Sequence, residues 1–98
     1  MPLFIVSGRD KPGSTDLRQA NRPAHLEWAK TRLDRMICGG PVIAPDGEAM
    51  IGSTFLVNFD SLEDAKAWAA EDPYAKAGLF DRVEVIEYKW LLGEAKPI

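Results

Sequence analysis

The stretch from Ile51 to Phe59 decides the fold, and it reads IGSTFLVNF. Successive side chains of a β-strand point to opposite faces of the sheet. One face of this strand then carries Ile51, Ser53, Phe55, Val57 and Phe59. The other face carries Leu56 between smaller and polar residues. The pattern predicts a central strand with Ser53 as the one polar residue on its more apolar face.

The segment after this strand has the pattern of a capped helix. Ser61 is placed to cap it, and acidic residues fill its first turn, where the helix dipole favours them. The predicted buried stripe consists of Leu62, Ala65, Trp68 and Ala69. Asp72 and Pro73 end this helix and begin a short one that stops near Gly78.

A longer helix is predicted before the strand. Ser14, Thr15 or Asp16 can cap it, and Pro23 either starts its main part or kinks it. Spacings of three, four and three predict that one buried face is formed by Leu26, Ala29, Leu33 and Met36. Trp28 lies far from this stripe, so it is expected to meet a partner subunit or to stay half exposed.

Three further strands complete the pattern: Phe4 to Val6, an irregular edge strand with a bulge from Ile37 to Ala44, and Val83 to Trp90. The order β-α-β-β-α-β predicts an α+β, ferredoxin-like fold with a four-stranded antiparallel sheet. Two helices cover one face of such a sheet, yet the last strand is apolar on both sides. An uncovered apolar face predicts a homodimer that packs sheet to sheet. Scattered surface hydrophobic residues are the alternative.

Composition excludes several classes of function. A chain of 98 residues is expected to form a single domain. A net charge of −3 argues against nucleic acid as a partner. No stretch is long and apolar enough for a membrane span, and the N-terminus lacks the pattern of a signal peptide, which predicts a cytoplasmic protein. One histidine and one cysteine make a metal site unexpected. Cys38 is expected to be a small buried residue.

His25 and Asp72 are the candidate catalytic residues. His25 lies on the shoulder of the predicted stripe, where an imidazole meets a pocket and still exchanges protons near neutral pH. Its alternative role is a structural histidine. Asp72 precedes a proline at a helix start, so its alternative role is a helix cap. A carboxylate has enough lone pairs to cap the helix and to orient a histidine together.

Ser53, Tyr74 and Arg22 are the candidate substrate-binding residues. The hydroxyl groups of Ser53 and Tyr74 either line a cavity or only serve local packing. Arg22 either supplies a positive charge for an anionic ligand or is a solvated arginine at a helix end. None of these signals is specific alone.

Two phrases together resemble a known family. Residues 21–26 read NRPAHL and residues 72–80 read DPYAKAGLF, with CGGP at 38–41 and IGST at 51–54 between them. These phrases resemble the signatures of the YciI-like, YCII-related domain family over about residues 2–90, with 91–98 as a tail. The resemblance implies a ferredoxin-like fold, a homodimer whose sheets form a dimeric α/β barrel, and a histidine–aspartate centre at His25 and Asp72.

The expected function is a small enzyme without metal or organic cofactor. His25 would move a proton on a small oxidised organic substrate, in an isomerisation, elimination or lyase-type step. Asp72 would fix the histidine tautomer, Ser53 and Tyr74 would donate hydrogen bonds to a developing oxyanion, and Arg22 would anchor a carboxylate. The alternatives are a non-catalytic module that binds a small ligand and a cofactor-free, monooxygenase-like barrel.

Overall fold

The computed structural model describes residues 2–93 and contains a four-stranded sheet with helices. Its elements are β1 Leu3–Asp10, α1 Thr15–Lys30, β2 Met36–Ile43, β3 Met50–Asn58, α2 Leu62–Ala70, α3 Pro73–Lys76 and β4 Phe80–Tyr88. The strands lie in the order β2-β3-β1-β4, and every neighbouring pair is antiparallel. The predicted α+β, ferredoxin-like architecture is therefore confirmed.

The core lies between one face of the sheet and α2. Phe55 and Val57 of the strand that decides the fold are buried there, against Ala65 and Trp68 of α2. The predicted cap is present, because the Ser61 hydroxyl accepts the backbone N–H of Asp64 at 3.1 Å. Leu62 was expected in the buried stripe but is exposed. Leu62 is the first residue of α2, and the buried residues of this helix begin one turn later, at Ala65.

The predicted buried face of α1 is wrong. The helix continues through Pro23 and ends at Lys30, so Leu33 lies in a short 3₁₀ turn and Met36 begins β2. Leu26 is exposed, and the buried residues of α1 are Arg18 and His25. The inner face of this helix is polar at both positions, and hydrophobic periodicity cannot detect such a face.

Two smaller expectations concern Trp28, which is partly buried as one of its two alternatives predicted, and Cys38, which was expected to be buried. Trp28 lies one turn from His25 on the true inner face, and its ring centroid is 4.7 Å from that of Trp68. Cys38 is exposed rather than buried, because it lies on the edge strand β2, where its partner is Leu56 of β3. The predicted irregularity of β2 is confirmed by register shifts at both of its ends.

The strands β1 and β3 approach each other closely at a pair of glycines. A Cβ atom built on Gly52 would lie 2.5 Å from the carbonyl oxygen of Gly8. No side chain fits there without a backbone shift. Ser53, the next residue of β3, pairs with Gly8 and contacts Arg18 of α1.

The second face of the sheet carries exposed apolar side chains. Ile86 is 50% exposed, and Tyr88 of the same strand and face is also exposed.

β4 begins earlier than predicted and ends at Tyr88, so Trp90 lies beyond it. Of the predicted tail, positions 94–98 lie outside the described residues. Within residues 2–93, no helix has the length and apolar character needed to cross a membrane.

Candidate functional site

His25 and Asp72 meet beneath the middle of α1. The Nδ1 atom of His25 lies 2.8 Å from Oδ1 of Asp72, and the two residues are only 8% and 3% exposed. An ionised carboxylate is an acceptor only, so Nδ1 carries the hydrogen in this bond. The arrangement leaves Nε2 as the ring nitrogen that can take a proton from a ligand.

Asp72 also caps the short helix α3, as the sequence predicted. The same Oδ1 atom accepts the backbone N–H of Tyr74 at 2.9 Å. The capping role and the contact with the histidine therefore coexist. Because the cap fixes the carboxylate relative to the backbone, Asp72 holds the His25 ring in one orientation.

Tyr74 stacks on the histidine. The two ring centroids are 4.0 Å apart with an interplanar angle of 15°, and Tyr74 is only 1% exposed. Burial raises the pKa of the Tyr74 phenol, and the positive charges of Arg18 and Arg22 only partly oppose this shift. The phenol is therefore a neutral hydrogen-bond donor at ordinary pH.

Arg18 is a buried cation in the same cluster, and the sequence analysis missed it. Its Nε and Nη2 atoms donate to the two carboxylate oxygens of Asp10 at 2.7 and 3.0 Å. Nη2 also donates to the Ser53 hydroxyl at 3.0 Å. Burial lowers the pKa of Arg18, but the hydrogen bond and charge of Asp10, together with the contribution of Tyr74, more than offset it and raise the pKa of Arg18. One signal was available: Arg18 lies seven residues, or two helical turns, before His25.

Two adjoining cavities give access to this cluster. The inner cavity has a volume of about 140 Å³, and His25, Ser53, Tyr74 and Phe55 all line it. The outer cavity has a volume of about 490 Å³ and lies between α1 and the β2–β3 turn. Arg22 is exposed and lines both cavities.

The structure thus brings the predicted site residues together. Four of them line the inner cavity, and Asp72 contacts two of those four, His25 and Tyr74. In the described part of the chain, no group of three or more His, Cys, Asp or Glu side chains has the arrangement of a metal site.

The family model of the YCII-related domain matches residues 2–89. The chain belongs to the YCII-related domain family. Protein YciI of Escherichia coli is 37% identical to this YCII-related domain over 94 residues, covering 89% of the chain and 96% of the relative. An uncharacterised protein of Haemophilus influenzae is 34% identical over 93 residues, covering 88% and 95%.

One solved structure shares both the fold and a recognisable sequence. It is the 5-chloro-2-hydroxyhydroquinone dehydrochlorinase of Burkholderia phenoliruptrix AC1100, in complex with 2,5-dihydroxybenzoquinone. The TM-score is 0.83 at 28% identity, and the match covers 97% of this chain and 99% of the dehydrochlorinase. A structural relative of this YCII-related domain is therefore an enzyme that converts a small molecule.

Proposed function

We propose that this YCII-related domain is a small enzyme that uses His25 and Asp72 to transfer a proton on a small oxidised organic compound, without a cofactor. The observation that carries the proposal is the 2.8 Å bond from Nδ1 of His25 to Asp72, beside a cavity that His25 itself lines. This bond leaves Nε2 as the base. Elimination is the reaction class that we favour, because the structural relative is a dehydrochlorinase.

The proposed step begins when Nε2 of His25 takes a proton from a carbon next to a carbonyl group. The electron pair of the broken C–H bond moves toward the carbonyl group and places negative charge on its oxygen. When that pair returns, a double bond forms to the neighbouring carbon, the bond from that carbon to the leaving group breaks, and the group departs with its bonding electrons. His25 then releases its proton to water. The net change is the loss of one acid, HX, and no electron is gained or lost, so a redox cofactor has no part in it.

The neighbouring residues are suited to this charge movement. Asp72 stabilises the imidazolium that forms when His25 takes the proton. Ser53 accepts an N–H from Arg18, so its own hydroxyl hydrogen is available to a substrate oxygen. Tyr74 donates its phenolic hydrogen to the same charge, and Arg22 anchors an anionic substituent at the entrance.

A screen of enols, lactones and halogenated hydroquinones for product formation tests this proposal. General acid–base catalysis contributes about 10²- to 10⁴-fold, so His25→Ala should lower turnover by that factor while its circular dichroism spectrum stays native. Tight binding without turnover in the wild type would favour the non-catalytic binding module. Oxygen consumption would favour the monooxygenase-like barrel.

We also propose that the chain forms a homodimer through the exposed face of the sheet. Exposed Ile86 and Tyr88 support this assignment, and so does Cys38 on the same face. Sedimentation should give about twice the chain mass of 10.8 kDa at micromolar concentration. Thiol labelling of Cys38 should slow as protein concentration rises. A monomer with labelling independent of concentration would contradict the dimer.

A further inference from the structure

We propose that the substrate is a single six-membered ring with an anionic oxygen, and that Arg18 and Ser53 bind this oxygen in the inner cavity. This inference rests on the proposed function and specifies the substrate class of the same site. Arg18 then contacts the substrate directly, although no motif in the sequence marks it as a site residue.

The burial of Arg18 calls for a functional explanation. Arg18 is only 4% exposed, and its partner Asp10 is a carboxylate that is also largely removed from water. A buried ion pair adds little to stability, because desolvation offsets most of the attraction between the charges. A pair of hydrophobic side chains would stabilise this small domain at least as well. The charged pair is therefore better explained by a ligand than by the fold.

The hydrogen bonds of Arg18 leave donors for a ligand. A guanidinium group has five N–H donors, and the bonds to Asp10 and Ser53 use those on Nε and Nη2. The Nη1 group is not used by these bonds; it lies beside Tyr74, which takes part in holding the guanidinium, and beside the inner cavity. Asp10 holds the guanidinium in a fixed orientation, so these donors are placed before a ligand arrives.

Ser53 supplies a second donor at the same place. Its oxygen is occupied as an acceptor by Arg18, so its hydrogen is directed to another acceptor. Both residues line the inner cavity. A substrate oxygen that reaches them receives one charged and one neutral hydrogen bond, which is the donor set that stabilises an oxyanion.

The lining of the inner cavity favours an anion. Arg18 and Arg22 are the charged side chains among the described residues that line it, and none of those residues is acidic. Asp72 lies behind His25 and is bonded to it. Asp10 balances the charge of Arg18 from outside the lining, and Arg22 adds a positive charge that is unbalanced among the described residues. A negatively charged oxygen is therefore attracted to this cavity, although the chain as a whole carries a net charge of −3.

The volume of the inner cavity matches a single ring. A cavity of about 150 Å³ with apolar walls binds benzene, and the inner cavity measures about 140 Å³. Its apolar walls include Phe55, Met36 and Leu26. 2,5-Dihydroxybenzoquinone, the ligand of the related dehydrochlorinase, is a single ring whose acidic hydroxyl groups ionise in neutral water.

The first test uses the wild-type protein. Calorimetry at pH 8 and low salt compares 2,5-dihydroxybenzoquinone with resorcinol, a neutral ring of similar size. The anion should bind at least about 10-fold more tightly, because a hydrogen bond to a charged group is stronger than one between neutral groups. Equal affinities for the two compounds would overturn the inference without any substitution.

The second test removes the donors. Arg18→Met should weaken binding of 2,5-dihydroxybenzoquinone about 10- to 100-fold and keep the affinity for resorcinol within a few-fold of the wild-type value. Arg32→Met is the matched control, because Arg32 pairs with Glu71 on the surface and lines neither cavity. Where Arg18→Met does not fold, Ser53→Ala replaces it, and this variant should bind the anion several-fold more weakly. Wild-type affinity for the anion in a folded variant would overturn the inference.

The outcomes also separate this inference from the proposed function. His25→Gln should keep the affinity for 2,5-dihydroxybenzoquinone within a few-fold, since His25 is not one of the two proposed oxyanion donors. A preference for anions without turnover would rule out the proposed enzymatic function and support the assignment of Arg18 and Ser53 as the binding site. Turnover that depends on His25 but shows no preference for anions would remove this inference alone.

Discussion

Substitutions of Asp72 can separate its contribution to stability from its contribution to catalysis. One oxygen atom of its side chain accepts both the Nδ1–H of His25 at 2.8 Å and the backbone N–H of Tyr74 at 2.9 Å. Asp72→Asn keeps an acceptor oxygen at this position and removes the negative charge. Asp72→Ala removes the acceptor and the charge together. The pair of variants therefore distinguishes the hydrogen bonds from the ionic contribution.

The expected costs follow from the two bonds. Loss of the N-cap in Asp72→Ala costs about 1 kcal/mol. The buried Nδ1–H of His25 also loses its acceptor, which costs about 1–3 kcal/mol. The free energy of unfolding should fall by about 2–4 kcal/mol in total. Asn caps helices about as well as Asp, so the free energy of unfolding of Asp72→Asn should fall by less than about 1 kcal/mol. Turnover should fall in the same variant, because a negative charge no longer stabilises the imidazolium.

Urea unfolding followed by tryptophan fluorescence measures the stability of both variants. The ¹⁵N spectrum of the imidazole shows which ring nitrogen carries the hydrogen, and the chain has one histidine, so no assignment is needed. The wild type should show hydrogen on Nδ1 in the neutral ring. Equal stability losses in the two variants, or unchanged turnover in Asp72→Asn, would refute the double role of Asp72.

Two further predictions concern packing and pH. Gly52→Ala should lower the free energy of unfolding by about 1–3 kcal/mol, because its Cβ would lie 2.5 Å from the oxygen of Gly8. The control is Gly40→Ala, where the new Cβ has no atom within 4 Å and the loss should be far smaller. Equal losses for the two variants in urea unfolding would contradict the prediction. Burial raises the pKa of Tyr74, so the unfolded chain loses this proton first, near pH 10. Stability should therefore fall as pH rises above about 9 to 10, and Tyr74→Phe should reduce that fall; an identical alkaline loss in Tyr74→Phe would contradict it.

The sequence predicts the sheet well because its signals there are local. The alternation from Ile51 to Phe59 places Ser53 and Phe55 on the face that the helices cover, and both are buried. Ser61 and Asp72 cap their helices, because a side-chain oxygen next to a helix start has its partner within three residues. Such signals need no knowledge of the rest of the chain.

The inner face of α1 is not predictable in this way. The stripe that ends at Met36 has helical spacing, but the chain leaves the helix after Lys30. The true inner face carries Arg18 and His25, whose burial is made acceptable by Asp10 at the end of β1 and by Asp72, 47 residues after His25. Hydrophobic periodicity does not detect a polar face of this kind. The family resemblance directed attention to His25 and Asp72, but Arg18 and Asp10 emerged only from the three-dimensional contacts.

The most direct test of the central role of His25 measures chloride release from 5-chloro-2-hydroxyhydroquinone, the compound named for the related dehydrochlorinase. The wild type and His25→Gln are compared at equal, saturating substrate, with binding of 2,5-dihydroxybenzoquinone as the check that the site is intact. We predict release by the wild type and a rate about 10²- to 10⁴-fold lower in His25→Gln, with binding retained. Equal rates in the two proteins, or no release by the wild type despite tight binding, would contradict proton transfer by His25 as the reaction of this site.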